Sequence, residues 1–170
     1  MDAAQHIVKL NPIAVELVDD TMLSLARKID MFKPTVEAVV KGNPKSLLLV
    51  EFAEELMDDN HIQLKKLHDM MGELGFTWKG SSSKLGGVVD VIDNDLQAKV
   101  SEMRKSGLNI MMSMKDEAKP VSFVEDCAVE LKDLAEYTDG LNKIFDKYET
   151  KGTWYAHASV GCLHVRPVLN

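Results

Sequence analysis

The sequence contains few cysteines, and they are far apart. Cys127 and Cys162 are the only two in 170 residues, which is too few for the disulfide framework of a small secreted domain, and neither belongs to a CxxC pair. An apolar core must therefore hold the chain together. With 45% hydrophobic residues, a chain of this length buries roughly 70% of the surface that its unfolded form exposes. We predict one globular domain with reduced cysteines.

An excess of basic charge and a long apolar run are both missing. The chain has 20 basic and 27 acidic residues, for a net charge of -7, which excludes a general affinity for nucleic-acid phosphates or anionic lipid headgroups. No apolar run approaches the ~20 residues that cross a bilayer, and residues 1–11 lack the pattern of a secretory signal. We predict a soluble cytoplasmic protein with no nucleic-acid partner and no transmembrane segment.

Short apolar runs alternate with amphipathic stretches, which predicts alternating strands and helices. Doubled strand–helix–strand units commonly build an antiparallel sheet, as in ferredoxin-like folds. We predict a single α+β domain over residues 1–170, a ferredoxin-like antiparallel sheet with helices packed on one face, plus a helical insert. The Gly/Ser-rich segment 80–87 lacks the spacing of a phosphate-binding loop and is predicted to be a surface loop. The predicted strands are 13–18, 46–52 (the central one), 121–129, 153–158 and 162–169, and the predicted helices cover about 22–29, 54–74, 94–106 and 131–148.

Two pairs of histidines are each separated by seven residues. His61 and His68 lie on a predicted helix, where this spacing spans about 10 Å along the axis, too far for one metal with bonds of ~2.1 Å. His157 and His164 flank a possible turn at Gly161. A chain reversal there would bring both imidazoles to one point at the edge of the sheet, in an arrangement suited to a divalent cation. From spacing alone, ordinary loop histidines remain the alternative.

Two histidines supply only half of a tetrahedral shell, so a metal would also need a carboxylate ligand. Glu125 and Asp126, on a neighbouring predicted strand, are the nearest candidates. Their ordinary roles would be a solvated position for Glu125 and a hydrogen bond to backbone near the strand end for Asp126. The residues alone leave both interpretations open.

Residues 155–167, YAHASVGCLHVRP, resemble the GHxGxGNLHxN signature of the C-terminal, substrate-side domain of the FAD-linked oxidases. This family includes the D-lactate, glycolate and D-2-hydroxyglutarate dehydrogenases. The variant ASVGCLHxRP, which occurs in large members fused to an iron-sulfur domain, is closer still. Residues 12–17, 48–52 and 123–129 also resemble family strands, so the resemblance extends from about residue 7 to the end.

The resemblance implies a cap domain that lies over FAD held by a separate flavin-binding domain, in an enzyme that oxidises a D-2-hydroxy acid by hydride transfer to the flavin. In metal-dependent members, the histidines that match His157 and His164 bind a divalent ion such as zinc, together with a glutamate from a downstream EHG motif. No EHG occurs in these 170 residues. We therefore expect the chain to be an inactive fragment of a larger enzyme, which in its complete form could lie peripherally at the inner membrane.

Arg104 resembles the arginine that the family uses against the substrate carboxylate, and Arg166 is a second candidate because guanidinium groups bind carboxylates in a bidentate way. For Arg104 the alternative is a surface cation favoured at a helix C-terminus. Cys162 and Arg166 stand where many members have asparagine, and Val124 stands where some have lysine. The resemblance thus assigns catalytic roles to His157, His164 and Arg104, with metal assistance as the implied chemistry.

Two other functions are compatible with the same pattern. A ferredoxin-like sheet can serve as a non-catalytic ligand-binding or regulatory module, in which the histidines are structural. The chain could also be an interface domain that docks its apolar faces onto a partner. The presence of a flavin-binding domain upstream in the parent protein would favour the enzyme.

Overall fold

A computed structural model describes residues 1–78, 86–114 and 117–170, which form one antiparallel sheet with helices. The strand order is β2-β1-β5-β6-β3, and β4 also pairs with β6. This architecture confirms the predicted α+β class. The strands are β1 (Ala14–Asp19), β2 (Ser46–Glu51), β3 (Lys119–Pro120), β4 (Val124–Ala128), β5 (Gly152–His157) and β6 (Cys162–Leu169), and the helices are α1 (Ala4–Ile7), α2 (Asp20–Ala26), α3 (Lys33–Val39), α4 (Met57–Glu73), α5 (Asn94–Lys105), α6 (Gly107–Met112) and α7 (Leu134–Lys147).

Apolar cores lie on both faces of the sheet, so the prediction of helices on a single face needs correction. Successive strand residues point to opposite faces, and Leu17 belongs to one core while Val18 belongs to the other. Helices α1, α4 and α7 cover the Leu17 face, and α2, α3, α5 and α6 cover the Val18 face. The helical insert therefore forms part of a second layer.

Strand β2 was predicted to be central because its residues are mostly apolar, and this position is wrong. β2 pairs only with β1 among the strands of the described ranges and forms an edge of the sheet. Its leucines nevertheless contribute to both cores, Leu48 to one and Leu49 to the other. An apolar run shows that both faces of a strand are covered, but it does not show how many strands flank it.

The predicted elements differ from the structure mainly at their ends. The strand expected over 121–129 is shorter, at Val124–Ala128, and Gly107 opens α6 instead of ending the preceding helix. Residues 80–85 of the loop predicted at 80–87 lie outside the described residues. Within the described ranges, no helix has the length and apolar character required to cross a membrane.

Asp19, at the end of β1, ties three elements together. Its Oδ1 accepts from the Met22 backbone N–H at 2.9 Å and caps α2, while its Oδ2 accepts from the Trp154 N–H on β5 at 2.8 Å. The residue is only 4% exposed. Burial raises the pKa of Asp19 to about 6, because it disfavours the charged form more than the two N–H groups favour it.

This raised pKa predicts an unusual pH dependence of stability. Between the ordinary value of 3.8 and about 6, the folded state binds more protons than the unfolded state. The contribution of Asp19 to the free energy of unfolding is therefore fully present below pH 3.8 and is lost as the pH rises through 6. The loss amounts to roughly 3 kcal/mol. Urea unfolding of the wild type and of Asp19→Asn between pH 4 and 7 measures it. The difference in unfolding free energy between the two proteins should change across this window, and a constant difference would contradict the assignment.

Candidate functional site

The predicted chain reversal lies between β5 and β6. A short 3-10 turn, Ala158–Val160, leads to Gly161, whose φ is +66°. Across the hairpin, His157 pairs with Cys162, and Tyr155 pairs with His164. The ring centroids of His157 and His164 are 5.2 Å apart and nearly perpendicular. The two imidazoles therefore meet on one face of the sheet, which is the arrangement expected if the chain reverses at Gly161, one of the two alternatives that the spacing left open.

Gly161 is required by this turn for two reasons. Its positive φ favours glycine, and an added Cβ would collide with the carbonyl oxygen of Val129, whose N–H donates to the Gly161 carbonyl at 2.9 Å. We expect Gly161→Ala to lower the free energy of unfolding by at least about 3 kcal/mol. Gly140→Ala, within α7 where a Cβ meets nothing within 4 Å, should raise it by roughly 0.5 to 1 kcal/mol. Chemical denaturation of both variants measures these changes, and equal stabilities would contradict this role of Gly161.

A β-bulge brings a carboxylate to His164. Val124 pairs with Val165 and Cys127 pairs with Leu163, so two residues of β4 oppose the single residue His164. The second of them, Asp126, has a φ of +56°. Its Oδ1 lies 3.1 Å from His164 Nδ1, although its side chain is 80% exposed. A bulge of this kind re-aims a side chain. The side chain of Glu125 lies outside the described part of the chain.

Glu16 joins His157 to Arg104, and sequence reasoning did not identify it. Glu16 on β1 pairs with His157 on β5. Its carboxylate, 15% exposed, lies 2.9 and 3.0 Å from His157 Nδ1 and 2.7 Å from Arg104 Nη2. The sequence does contain one signal for Glu16: it is the single acidic residue within the apolar stretch IAVELV. A carboxylate on a covered strand requires partners, so this position indicates a paired carboxylate.

Arg104 extends from the end of α5 over the aromatic ring of Tyr155. The guanidinium carbon is 5.5 Å from the ring centroid, and the Tyr155 hydroxyl donates to the Arg104 carbonyl at 3.0 Å. Arg104 is 25% exposed and paired with Glu16, so it is not a free surface cation. Burial raises the pKa of the Tyr155 phenol and the Glu16 charge adds to this, while Arg104 opposes it. Tyr155 therefore stays protonated as a donor near neutral pH.

The other sequence candidates lie at different distances from this cluster. Arg166 is on the same face of β6 as His164, two residues along the strand, or about 7 Å. His68 on α4 lies with its Nε2 2.8 Å from Asp90, and α4 covers the opposite sheet face. His61, on the same helix, is exposed. The structure thus brings together His157, His164 and Arg104.

Each of the two imidazoles has its Nδ1 atom next to a carboxylate. His157 Nδ1 faces Glu16, and His164 Nδ1 faces Asp126. A carboxylate that accepts from Nδ1 fixes the tautomer and leaves Nε2 as the basic nitrogen, which is how metal-binding histidines are commonly oriented. Among the described residues, no hydrogen bond to either Nε2 is present. The donor set of this cluster therefore fits a divalent cation.

The whole chain is similar to known proteins of one family. All 170 residues match the model of the family of FAD linked oxidases, C-terminal domain, and the chain belongs to this family. Among curated relatives, D-2-hydroxyglutarate dehydrogenases of Haemophilus influenzae (strain ATCC 51907 / DSM 11121 / KW20 / Rd) and Pantoea ananatis (strain AJ13355) are 27% and 29% identical to it. The enzyme of Escherichia coli (strain K12) is 25% identical. These alignments cover 98% of this chain and 16% of each relative.

Proposed function

We propose that this domain forms the substrate side of an FAD-dependent oxidoreductase that transfers a hydride from a D-2-hydroxy acid, of the D-lactate or D-2-hydroxyglutarate class, to the flavin. The family membership supports the reaction class. The observation that carries the proposal is the convergence of His157, His164 and Arg104 on one sheet face. A base and a carboxylate-binding cation are the two groups that oxidation of a hydroxy acid requires from a protein.

Arg104 is the residue proposed to hold the substrate carboxylate. Its Nε is buried and has no hydrogen-bond partner among the described residues. An unpaired buried donor is costly, so the guanidinium gains a bond when it turns toward an incoming carboxylate. The planar fork then binds both carboxylate oxygens. Arg166, on the same face, is the second candidate for a carboxylate of the substrate.

The histidines are proposed to accept the hydroxyl proton. Glu16 holds the proton on His157 Nδ1, which leaves Nε2 free to take a proton from a hydroxyl placed beside it. The protonated ring is then stabilised by the adjacent Glu16 carboxylate, which is largely shielded from solvent.

Two groups would assist these residues. FAD, held mainly by another domain of the complete protein, would accept the hydride. With a divalent cation such as zinc bound by His157 and His164, the Nε2 atoms would be occupied and would not act as the base. The cation would then supply Lewis-acid chemistry that polarises the hydroxyl and carboxylate oxygens of the substrate, and the hydroxyl proton would leave to solvent. An iron-sulfur domain in the complete protein is proposed as the next electron carrier.

Flavin reduction tests this function. The full-length flavoprotein that contains this domain is mixed anaerobically with D-lactate, D-2-hydroxyglutarate and their L-enantiomers, and the flavin absorbance is followed. We expect bleaching by a D-enantiomer and little or none by its L-form. If no 2-hydroxy acid bleaches the flavin, the non-catalytic ligand-binding module becomes the better account.

A further inference from the structure

We infer that Cys162 is a thiolate ligand of the cation site, together with His164 and Asp126. This inference rests on the metal role proposed for the histidine pair and extends it to two residues that the resemblance leaves unassigned. It changes the chemistry of the site, because a sulfur donor favours a different set of metals from nitrogen and oxygen donors alone.

The distances among the three side chains support this set. One ligand atom from each of Asp126, Cys162 and His164 lies within 4.8 Å of the other two. Bonds of ~2.0 to 2.3 Å in a tetrahedral shell place neighbouring ligand atoms roughly 3.3 to 3.8 Å apart. A shift of about 1 Å in the side chains therefore brings these three donors to the spacing of such a shell, and rotamer changes of a half-buried cysteine and an exposed aspartate can supply it. In the proposed site the Asp126 carboxylate moves from His164 Nδ1 onto the cation.

The fold brings each of these donors to the same place. Cys162 is the first residue of β6 and lies directly opposite His157 across the hairpin. His164 is two residues further on and therefore shares its face. Asp126 reaches this face only because of the bulge in β4. Its left-handed conformation is uncommon for a residue other than glycine, and such backbone is characteristic of functional sites.

The other cysteine, Cys127, lies on the opposite face of the sheet from Cys162. Cys127 pairs with Leu163, whose side chain is in the core of the opposite sheet face. Cys127 is itself packed against that core. It is the matched control for Cys162, since both are half-buried thiols on neighbouring strands.

A thiolate, a carboxylate and imidazole nitrogen together suit zinc or cobalt and disfavour magnesium, calcium and manganese, which prefer oxygen ligands. On binding, the Cys162 thiol loses its proton to solvent, so metal uptake releases a proton. His157 lies opposite Cys162 across the hairpin, with its ring centroid 5.2 Å from that of His164, and would supply the fourth donor after a further side-chain shift. Zinc accepts five ligands as well as four, so an oxygen atom of the substrate can still enter.

Cobalt titration of the 170-residue chain tests the inference, because a cobalt–thiolate bond gives a charge-transfer absorption in the near ultraviolet that nitrogen and oxygen ligands do not. We expect this band in the wild type and in Cys127→Ser, and its loss in Cys162→Ser, with cobalt affinity lowered at least about tenfold. Asp126→Gly suits the positive φ and should weaken cobalt binding while retaining the band.

The outcomes of this titration distinguish the role of Cys162 as a ligand from the metal role of the histidine pair in the proposed function. Visible cobalt bands without a charge-transfer band would overturn the role of Cys162 and leave the histidine pair intact. Absence of any cobalt binding, or a band that persists in Cys162→Ser, would also overturn it. A Cys162-dependent band, together with flavin reduction in the full-length protein that is insensitive to metal removal, would support the ligand and contradict the metal role in the proposed function.

Discussion

Replacement of both His157 and His164 by alanine is expected to lower the rate of flavin reduction by a D-2-hydroxy acid at least about 10³-fold in the full-length flavoprotein. The two ring centroids are 5.2 Å apart, and the rings supply the proposed base or, when a cation is bound, its nitrogen ligands. Stopped-flow absorbance of the flavin under anaerobic conditions measures the rate. Because neither ring belongs to the apolar cores, the variant should fold and retain its flavin spectrum.

His61→Ala is the matched control for this experiment. His61 is an exposed histidine on α4, and that helix covers the other face of the sheet. Its removal should leave the rate within about twofold of the wild type, since surface substitutions away from a site have small effects. A histidine double variant that reduces its flavin at the wild-type rate would remove both imidazoles from the mechanism.

The second large effect is expected at Arg104. Arg104→Lys keeps a positive charge beside Glu16 but loses the planar fork that binds two carboxylate oxygens. We expect kcat/KM for the hydroxy acid to fall about 10²-fold, since hydrogen bonds to charged groups contribute about 1.5 to 3 kcal/mol. The fall should appear mainly in KM, and the free energy of unfolding should change little.

Two further variants separate substrate binding from support of Glu16. Lys105→Ala, at the exposed neighbouring position in α5, should have wild-type kinetics. Arg104→Ala should lose stability as well as activity, because the Glu16 carboxylate would lose its 2.7 Å partner while remaining largely shielded from water. Full activity in Arg104→Lys would show that Arg104 acts only by holding Glu16 in place.

The local patterns of the sequence were sufficient for much of the fold. Regular periodicity located α4 and α7 to within a few residues, and the turn signal at Gly161 raised the approach of His157 to His164 as one of two alternatives. Coverage of the second sheet face was not foreseen. Buried residues from several short elements, including Met22, Met103 and Ile110, build that layer, and periodicity cannot reveal which face a short helix covers.

Arg104 was supplied by the family resemblance, and Asp126 was named as one of two possible carboxylate ligands. Apart from these two, the candidate site could be predicted only where its residues are close in the sequence. Glu16 meets His157 and Arg104 because β1 and β5 are neighbours in the sheet, a pairing between distant segments that alternation does not encode. The bulge at Asp126 was also missed, because the residues of β4 alternate regularly in the sequence although the register shifts after Val124. Nothing in a local pattern marks the positive φ that redirects this carboxylate.

The central claim is that the paired imidazoles hold a cation, and zinc titration of the 170-residue chain by calorimetry tests it most directly. We predict saturable zinc binding to the wild type, unchanged binding to His61→Ala, and no detectable binding to the double variant His157→Ala, His164→Ala. Equal zinc affinities of the wild type and this double variant would contradict the claim.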